Sequence, residues 1–273
     1  VIENGIAVLD DYFRLNEGTY KILRRNIKAN VSSLLLGATG VGKTELVAAL
    51  AHSEGLPLTI FDMGTMTDPI LSLVGTHAIK VINGITESQF LVSRFSEVIQ
   101  KPGIVLLDEI SRANSAANNL LFPVLDFRRE LSMEYAFDDQ APIKVHPKCV
   151  FVATANVGSQ YTGTHRLDRA LIDRFMLIEI DPLEKDQIIK IVQYHFRLID
   201  INKIIKIVDC YEKINKAHED FTISFNLSLR HLKMICGLVE DNFTIYDSFY
   251  CVCKGIGSKE GLKTLETILN EVK

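Results

Sequence analysis

The stretch GATGVGKT, residues 37–44, constrains this chain more than any other. An apolar run, Val31–Leu36, leads straight into it, and a helix-forming stretch, TELVAALAHSEG, follows. Gly37, Gly42, Lys43 and Thr44 fill the fixed positions of a G-x-x-x-x-G-K-[ST] pattern. Between a strand and a helix this spacing makes a phosphate cradle. Glycines let backbone N–H groups turn inward around anionic oxygens, and the start of the helix adds its positive end. Ala38, Thr39, Gly40 and Val41 complete the loop, and Glu45 follows it. Lys43 can reach the β- and γ-phosphates, and the Thr44 hydroxyl can hold Mg²⁺. A glycine-rich turn with no ligand is the plainer alternative, and the flanks fit it less well. The expected ligand is a nucleoside triphosphate.

A strand–cradle–helix unit belongs in a parallel sheet, and the rest of the chain supplies one. Strand-like runs recur at Val31–Leu36, Leu58–Phe61, Ile104–Leu107, Val150–Ala155 and Met176–Ile180, with helical patterns between them. Such alternation implies an α/β fold whose parallel sheet is covered on both faces. Ahead of it, DDYFRLNEGTYKILRRNIKAN has helical spacing at Tyr12, Leu15, Ile22 and Leu23, and Gly18 is expected to break it into two pieces. From Pro182 onward the strands stop, and four segments read as amphipathic helices. The expected organisation is an α/β nucleotide-binding core over residues 1–181 and a small all-helical domain over 182–273.

Two segments interrupt the alternation. In Gly75–Phe90, Asn83-Gly84 lies between apolar flanks, a strong short-range hairpin signal. In Arg128–Cys149, a polar Asp138-Asp139-Gln140 turn separates two strand-like arms. Each is expected to be a hairpin inserted into the α/β framework.

Bulk properties exclude several classes. A chain of 273 residues with 47% apolar content can bury a sizeable core, so it is not a disordered chain. Its formal net charge of −4 argues against obligate nucleic-acid binding, though a local basic groove remains compatible. Cys149, Cys210, Cys236, Cys251 and Cys253 are scattered, and Cys251-x-Cys253 is too short for a zinc pair. Reduced thiols and a cytoplasmic location are expected. No apolar stretch approaches a membrane span, and the first residues lack a basic-then-apolar signal. The sequence begins at Val1 rather than Met, so neither end is taken as natural.

Downstream of the cradle, GIVLLDEI puts Asp108 and Glu109 at the end of an apolar strand, where parallel sheets face their ligand crevice. Asp108 there can hold Mg²⁺ through water. Glu109 can orient or deprotonate the water that attacks the γ-phosphate, because positioning dominates phosphoryl transfer. CVFVATANVG repeats the arrangement and ends its strand in Asn156. A neutral amide can hold that water or a γ-phosphate oxygen, although Asn after a strand is also an ordinary turn former. GTHRLDRALIDRF offers Arg166, Arg169 and Arg174. An arginine can neutralise charge developing on phosphoryl oxygens, in cis or from a partner subunit. Spacing alone allows equally that these arginines pair with Asp168 or Asp173 on a helix surface. Arg230 in NLSLRHLKMI could reach back to the phosphates or be a plain exposed helix residue.

Together, GATGVGKT, GIVLLDEISRANSAANNLLFPVLDFRREL and VFVATANVGSQYTGTHRLDRALIDRF resemble an AAA+ ATPase, and more narrowly its MoxR-type branch with the CbbQ and NorQ activators and gas-vesicle GvpN. The resemblance runs from Tyr20 to Leu238. It implies a five-stranded AAA+ core with a helical lid. Residues 37–44 would be Walker A, Asp108 and Glu109 Walker B, and Asn156 sensor 1. Arg174 would be an arginine finger acting on the neighbouring subunit's nucleotide, assisted by Arg169, with Arg230 as sensor 2. Residues 75–90 would be the helix-2 insert and 128–149 the pre-sensor-1 hairpin. ATP and Mg²⁺, a homo-oligomeric ring taken as a hexamer, and a client or an adaptor carrying a von Willebrand A domain are implied partners. ATP held between core and lid would fix their angle, and its hydrolysis would drive remodelling of the client. The rival reading is a nucleic-acid motor or restriction-type NTPase, and neither hairpin is notably basic. A ring that uses ATP only as a switch fits less well, since Lys43, Asp108 and Glu109 are all present. Guanine preference has no support, because Asn202-Lys203 lacks the acid of an N-K-x-D motif.

Overall fold

Strands that are apolar on both faces can only be buried in the middle of a layered sheet. Gly103–Asp108 (β5) and Cys149–Asn156 (β8) are of this kind, with nearly every residue inaccessible to water. In the computed structural model, which describes residues 17–82, 85–134, 141–156 and 168–270, they form the centre of a five-stranded parallel sheet. The other strands are Ser33–Gly37 (β1), Leu58–Asp62 (β2) and Met176–Glu179 (β9), and the order across the sheet is β2-β5-β8-β1-β9. All five are the strands expected from the sequence, within one or two residues at their ends. The register sets Gly37 opposite Asn156 and Asp62 opposite Asp108, so these residues line up along the sheet's carboxyl edge.

The chain divides into two compact units, residues 1–38 with 42–181, and residues 182–273 with Thr39–Val41 of the glycine loop. In the first, the sheet packs against Glu17–Lys28 (α1), Lys43–Ser53 (α2), Arg94–Val98 (α3) and Ser115–Leu125 (α4), with Phe95, Phe151 and Leu121 fully buried in the core. Helix α1 buries Tyr20, Leu23 and Ile27 and leaves Ile22 exposed. Gly18 lies near the described start of α1; Tyr12 and Leu15, on the far side of the expected break, lie outside the described residues.

The two inserted segments are antiparallel hairpins. Gly75–Ile82 (β3) pairs with Ile85–Val92 (β4), two residues beyond the expected end, and the Asn83-Gly84 turn lies outside the described residues. The root of this hairpin is fixed by chemistry rather than by bulk. Ser93 Oγ donates to Leu73 O at 2.7 Å, and the single Ser96 hydroxyl hydrogen is shared between Leu73 O at 2.8 Å and Val74 O at 3.0 Å. Gly75 has φ 144°, and a Cβ there would meet Leu91 O at 2.2 Å. The second hairpin pairs Glu130–Leu131 (β6) with Ile143–Lys144 (β7), inside the expected 128–149 segment. Its Asp138–Gln140 turn is likewise outside the described residues.

The second unit is helical: Lys185–His195 (α6), Ile201–Glu219 (α7), Leu229–Glu240 (α8), Ile245–Lys254 (α9) and Lys259–Asn270 (α10) surround their own core of Val192, Ile207, Ile235, Phe249 and Leu265. Four of these were expected; α9 was not. Its Thr244 N-cap accepts from Asp247 N, and it carries the Cys251-x-Cys253 pair.

Cys251 is exposed, and the other four thiols are buried. Burial pushes Cys149 and Cys210 up to about 11, and Cys236 and Cys253 up to about 12. Native protein titrated with an aromatic disulfide at about pH 8, below an ordinary thiol's pKa, should release one fast equivalent, and Cys251→Ser should abolish it. Fast release from a second site would contradict the packing described.

Candidate nucleotide site

The site is assembled where β1, β5 and β8 end side by side. After Gly37 the chain turns through Gly40 (φ 86°) and Gly42 (φ 88°), conformations that only glycine adopts freely. Gly42 is the N-cap of α2, so Lys43, Thr44 and Glu45 form that helix's first turn. Glu45 is exposed there, and its charge suits the positive helix end.

Lys43 is 8% exposed, and its ammonium donates to three oxygens: Gly37 O at 2.9 Å, Ala38 O at 2.9 Å and Asn156 Oδ1 at 2.8 Å. Burial pushes its pKa down to about 8, against the upward pull of Asp108, Glu109 and Glu45. The expected cradle lysine and the expected strand-end amide are therefore in direct contact.

Thr44 Oγ1 lies 3.2 and 3.4 Å from the two oxygens of Asp108. A hydroxyl and a carboxylate are hard oxygen donors, a set that fits Mg²⁺, which keeps several waters and takes few protein ligands. Thr44 and Asp108 would hold that ion, and it would screen charge on the phosphates.

Two residues of the site escaped the sequence reading. Thr154, 2% exposed in β8, donates its hydroxyl to Asp108 Oδ1 and accepts from Glu109 N at 3.0 Å. One side chain thus fixes both acidic residues. Arg112 Nε sits 3.0 Å from Glu109 Oε2. The only available signals were a lone threonine in an apolar strand and an arginine three residues after the acid, and neither is distinctive. Glu109 itself has φ 54° and ψ 45°, a left-handed conformation that costs a non-glycine residue on the order of 1–3 kcal/mol. This puts a strained backbone at the residue read as the acid facing the attacking water.

Arg174 makes its contacts with other residues of the first unit. Arg174 follows Arg169–Ile172 (α5), and its guanidinium rests on α4, over the Phe122 ring and beside Asp126. Arg169 is exposed at the start of α5, and Arg230 is exposed on α8 of the second unit. Arg166 lies outside the described residues.

A buried lysine in a glycine turn, a Thr–Asp pair and a strained Glu beside an Asn-ended strand define a P-loop nucleotide hydrolase. Comparison with known proteins narrows the class. Residues 32–175 match the AAA domain, dynein-related subfamily, and the chain belongs to this family of ATP hydrolases. It is 37% identical over 188 residues to the "Putative chaperone BssE" of Thauera aromatica, a match covering 66% of this chain and 62% of that protein. It is 28% identical over 200 residues to an uncharacterized protein of Staphylococcus saprophyticus, covering 72% of this chain and 74% of the other. Its fold is similar to NtrX of Brucella abortus, crystallised with ADP, with TM-score 0.56, 15% identity, and 82% of this chain and 49% of that one covered. Among the described residues, no helix is long and apolar enough to cross a membrane.

Thr154→Val keeps shape and removes the hydroxyl. It should cost about 1 kcal/mol in denaturant unfolding, because the part-buried Glu109 N–H loses its acceptor, and it should lower ATP turnover. Thr154→Ser should retain both. Wild-type turnover in Thr154→Val would show that the hydroxyl has no part in arranging the acids.

Proposed function

We propose that this chain is a subunit of a ring-forming MoxR-type ATPase that couples ATP hydrolysis at subunit interfaces to the remodelling, activation or assembly of a partner protein. One observation carries the reading. Lys43, Thr44, Asp108, Glu109 and Asn156 converge at the carboxyl ends of neighbouring strands, while Arg174 is seated on α4 by groups outside that set. Among the described residues this set holds Lys43 and Arg112 but not Arg174, and such a pocket is suited to receive a transition-state cation from a neighbour. Activity then depends on assembly, here read as a hexamer.

In this reading the loop N–H groups and Lys43 bind the β- and γ-phosphates. Glu109 accepts the proton of the attacking water, and Asn156 holds that water in line. Arg174 of the adjacent subunit meets the charge that develops on the phosphoryl oxygens, Arg169 assists it, and Arg230 senses the nucleotide's state. Residues 1–181 act as the AAA+ core and 182–273 as its lid. The 75–92 and 128–149 hairpins are the parts that meet the client, directly or through an adaptor with a von Willebrand A domain. The similarity to a protein named as a chaperone supports a protein client. So does the charge balance of the second hairpin, where Arg128, Arg129, Lys144 and Lys148 are offset by Glu130, Glu134, Asp138 and Asp139.

Glu109→Gln should lower kcat by about a hundredfold or more while nucleotide binding persists. Arg174→Ala should be comparably inactive. Mixing the two inactive chains should restore ATP turnover, because one supplies the acid and the other the cation. Unchanged turnover in Glu109→Gln would refute the chemistry, and no recovery in mixed assemblies would refute catalysis across the interface. DNA stimulation that vanishes with salt would favour the motor reading.

A further inference from the structure

Arg174 is held in an unusual balance. Its Nε donates to Phe122 O at 3.3 Å, and its Nη1 donates to Ala170 O. The guanidinium carbon lies 4.6 Å from the centre of the Phe122 ring. Nη2 is 3.7 Å from Asp126 Oδ2, which is attraction without a hydrogen bond. The Asp126 carboxylate makes its short contacts elsewhere. Arg128 reaches it through Nε at 3.2 Å to each oxygen, through Nη2 at 2.7 Å, and through its backbone N–H at 2.9 Å.

The balance matters because a guanidinium has five N–H donors. Two neutral carbonyls take one each, and the ring face fixes the plane of the group without using any. A tight bidentate carboxylate would cancel the charge and fill the fork. Here the carboxylate that could do so is drawn toward Arg128. The side chain is oriented, 25% exposed, and still has donors on Nη2 for an anion.

We propose that Phe122 and Asp126 are positioning residues for ATP hydrolysis. They form a seat that presents the Nη2 edge of Arg174 to the phosphoryl oxygens of a nucleotide bound by a second copy of this chain. The proposal rests on the trans role given to Arg174 above. Its physical gain is pre-organisation: a seated arginine gives up less rotamer freedom as the transition state forms, and small misplacements of such a group are costly.

The test is steady-state ATPase kinetics on the assembled full chain, with assembly followed by light scattering and ADP binding measured in parallel. Phe122→Leu removes the ring face, and Asp126→Asn removes the charge with little change in volume. Each should lower kcat about tenfold while KM for ATP and the ADP affinity stay within about twofold. Asp126→Glu should recover most of the loss. In an Arg174→Ala background neither substitution should lower kcat further, because both act through that arginine. Should Phe122→Leu fail to assemble, Asp126→Asn decides alone. The seat is overturned if Asp126→Asn leaves kcat unchanged, raises it as release from a parked state would, or lowers it equally in the Arg174→Ala background. If Arg174→Ala itself retains wild-type kcat, the trans reading falls and the seat with it. If Arg174→Ala is inactive and the seat variants are normal, only the seat falls.

Discussion

The contact on which the site depends is the buried ammonium of Lys43. It ties the first turn of α2 to the end of β1, through Gly37 O and Ala38 O, and to the end of β8, through Asn156 Oδ1. A cation that is 8% exposed persists only when its donors are satisfied, and here three neutral oxygens satisfy them. Burial also loosens its hold on the proton, which the nearby carboxylates partly restore. An incoming polyphosphate offers charge where these oxygens offer only dipoles. The lysine therefore has a reason to exchange partners, and Asn156 is the partner whose side chain can turn.

The acids beside it are arranged by one hydroxyl. Thr154 bridges from β8 to Asp108 and to the backbone of Glu109, so the two neighbouring acidic residues are referred to the same strand. Glu109 takes a left-handed backbone to do this, and its side chain turns to Arg112. Together with Lys43 these contacts link β1, β5 and β8 at their ends. The sheet order makes that economical, because β8 lies between the other two.

How much of this was legible in the sequence follows from what each feature depends on. The three central strands were legible because burial on both faces forces continuous apolar runs, as in GIVLLD and CVFVATAN, and the more exposed edge strands β2 and β9 keep short apolar runs of their own. The glycine turn was legible because phosphate chemistry fixes residue types at fixed spacing. The 75–92 hairpin was legible from Asn-Gly between apolar arms. Helix α9 was missed, since IYDSFYCVCK drew attention to its cysteines, although Thr244 and Asp247 offered a cap. Thr154 and Arg112 were invisible for a different reason. Their roles come from which strand lies alongside and which turn the backbone takes, and no local pattern encodes either.

The joint between sheet and insert has its own consequence. The paired strands Gly75–Val92 spring from a glycine whose place no other residue can take without collision, and just beneath it two buried serine hydroxyls grip consecutive carbonyls. A joint with no slack passes force on: whatever pulls on the paired strands bears directly on the backbone at Leu73 and Val74.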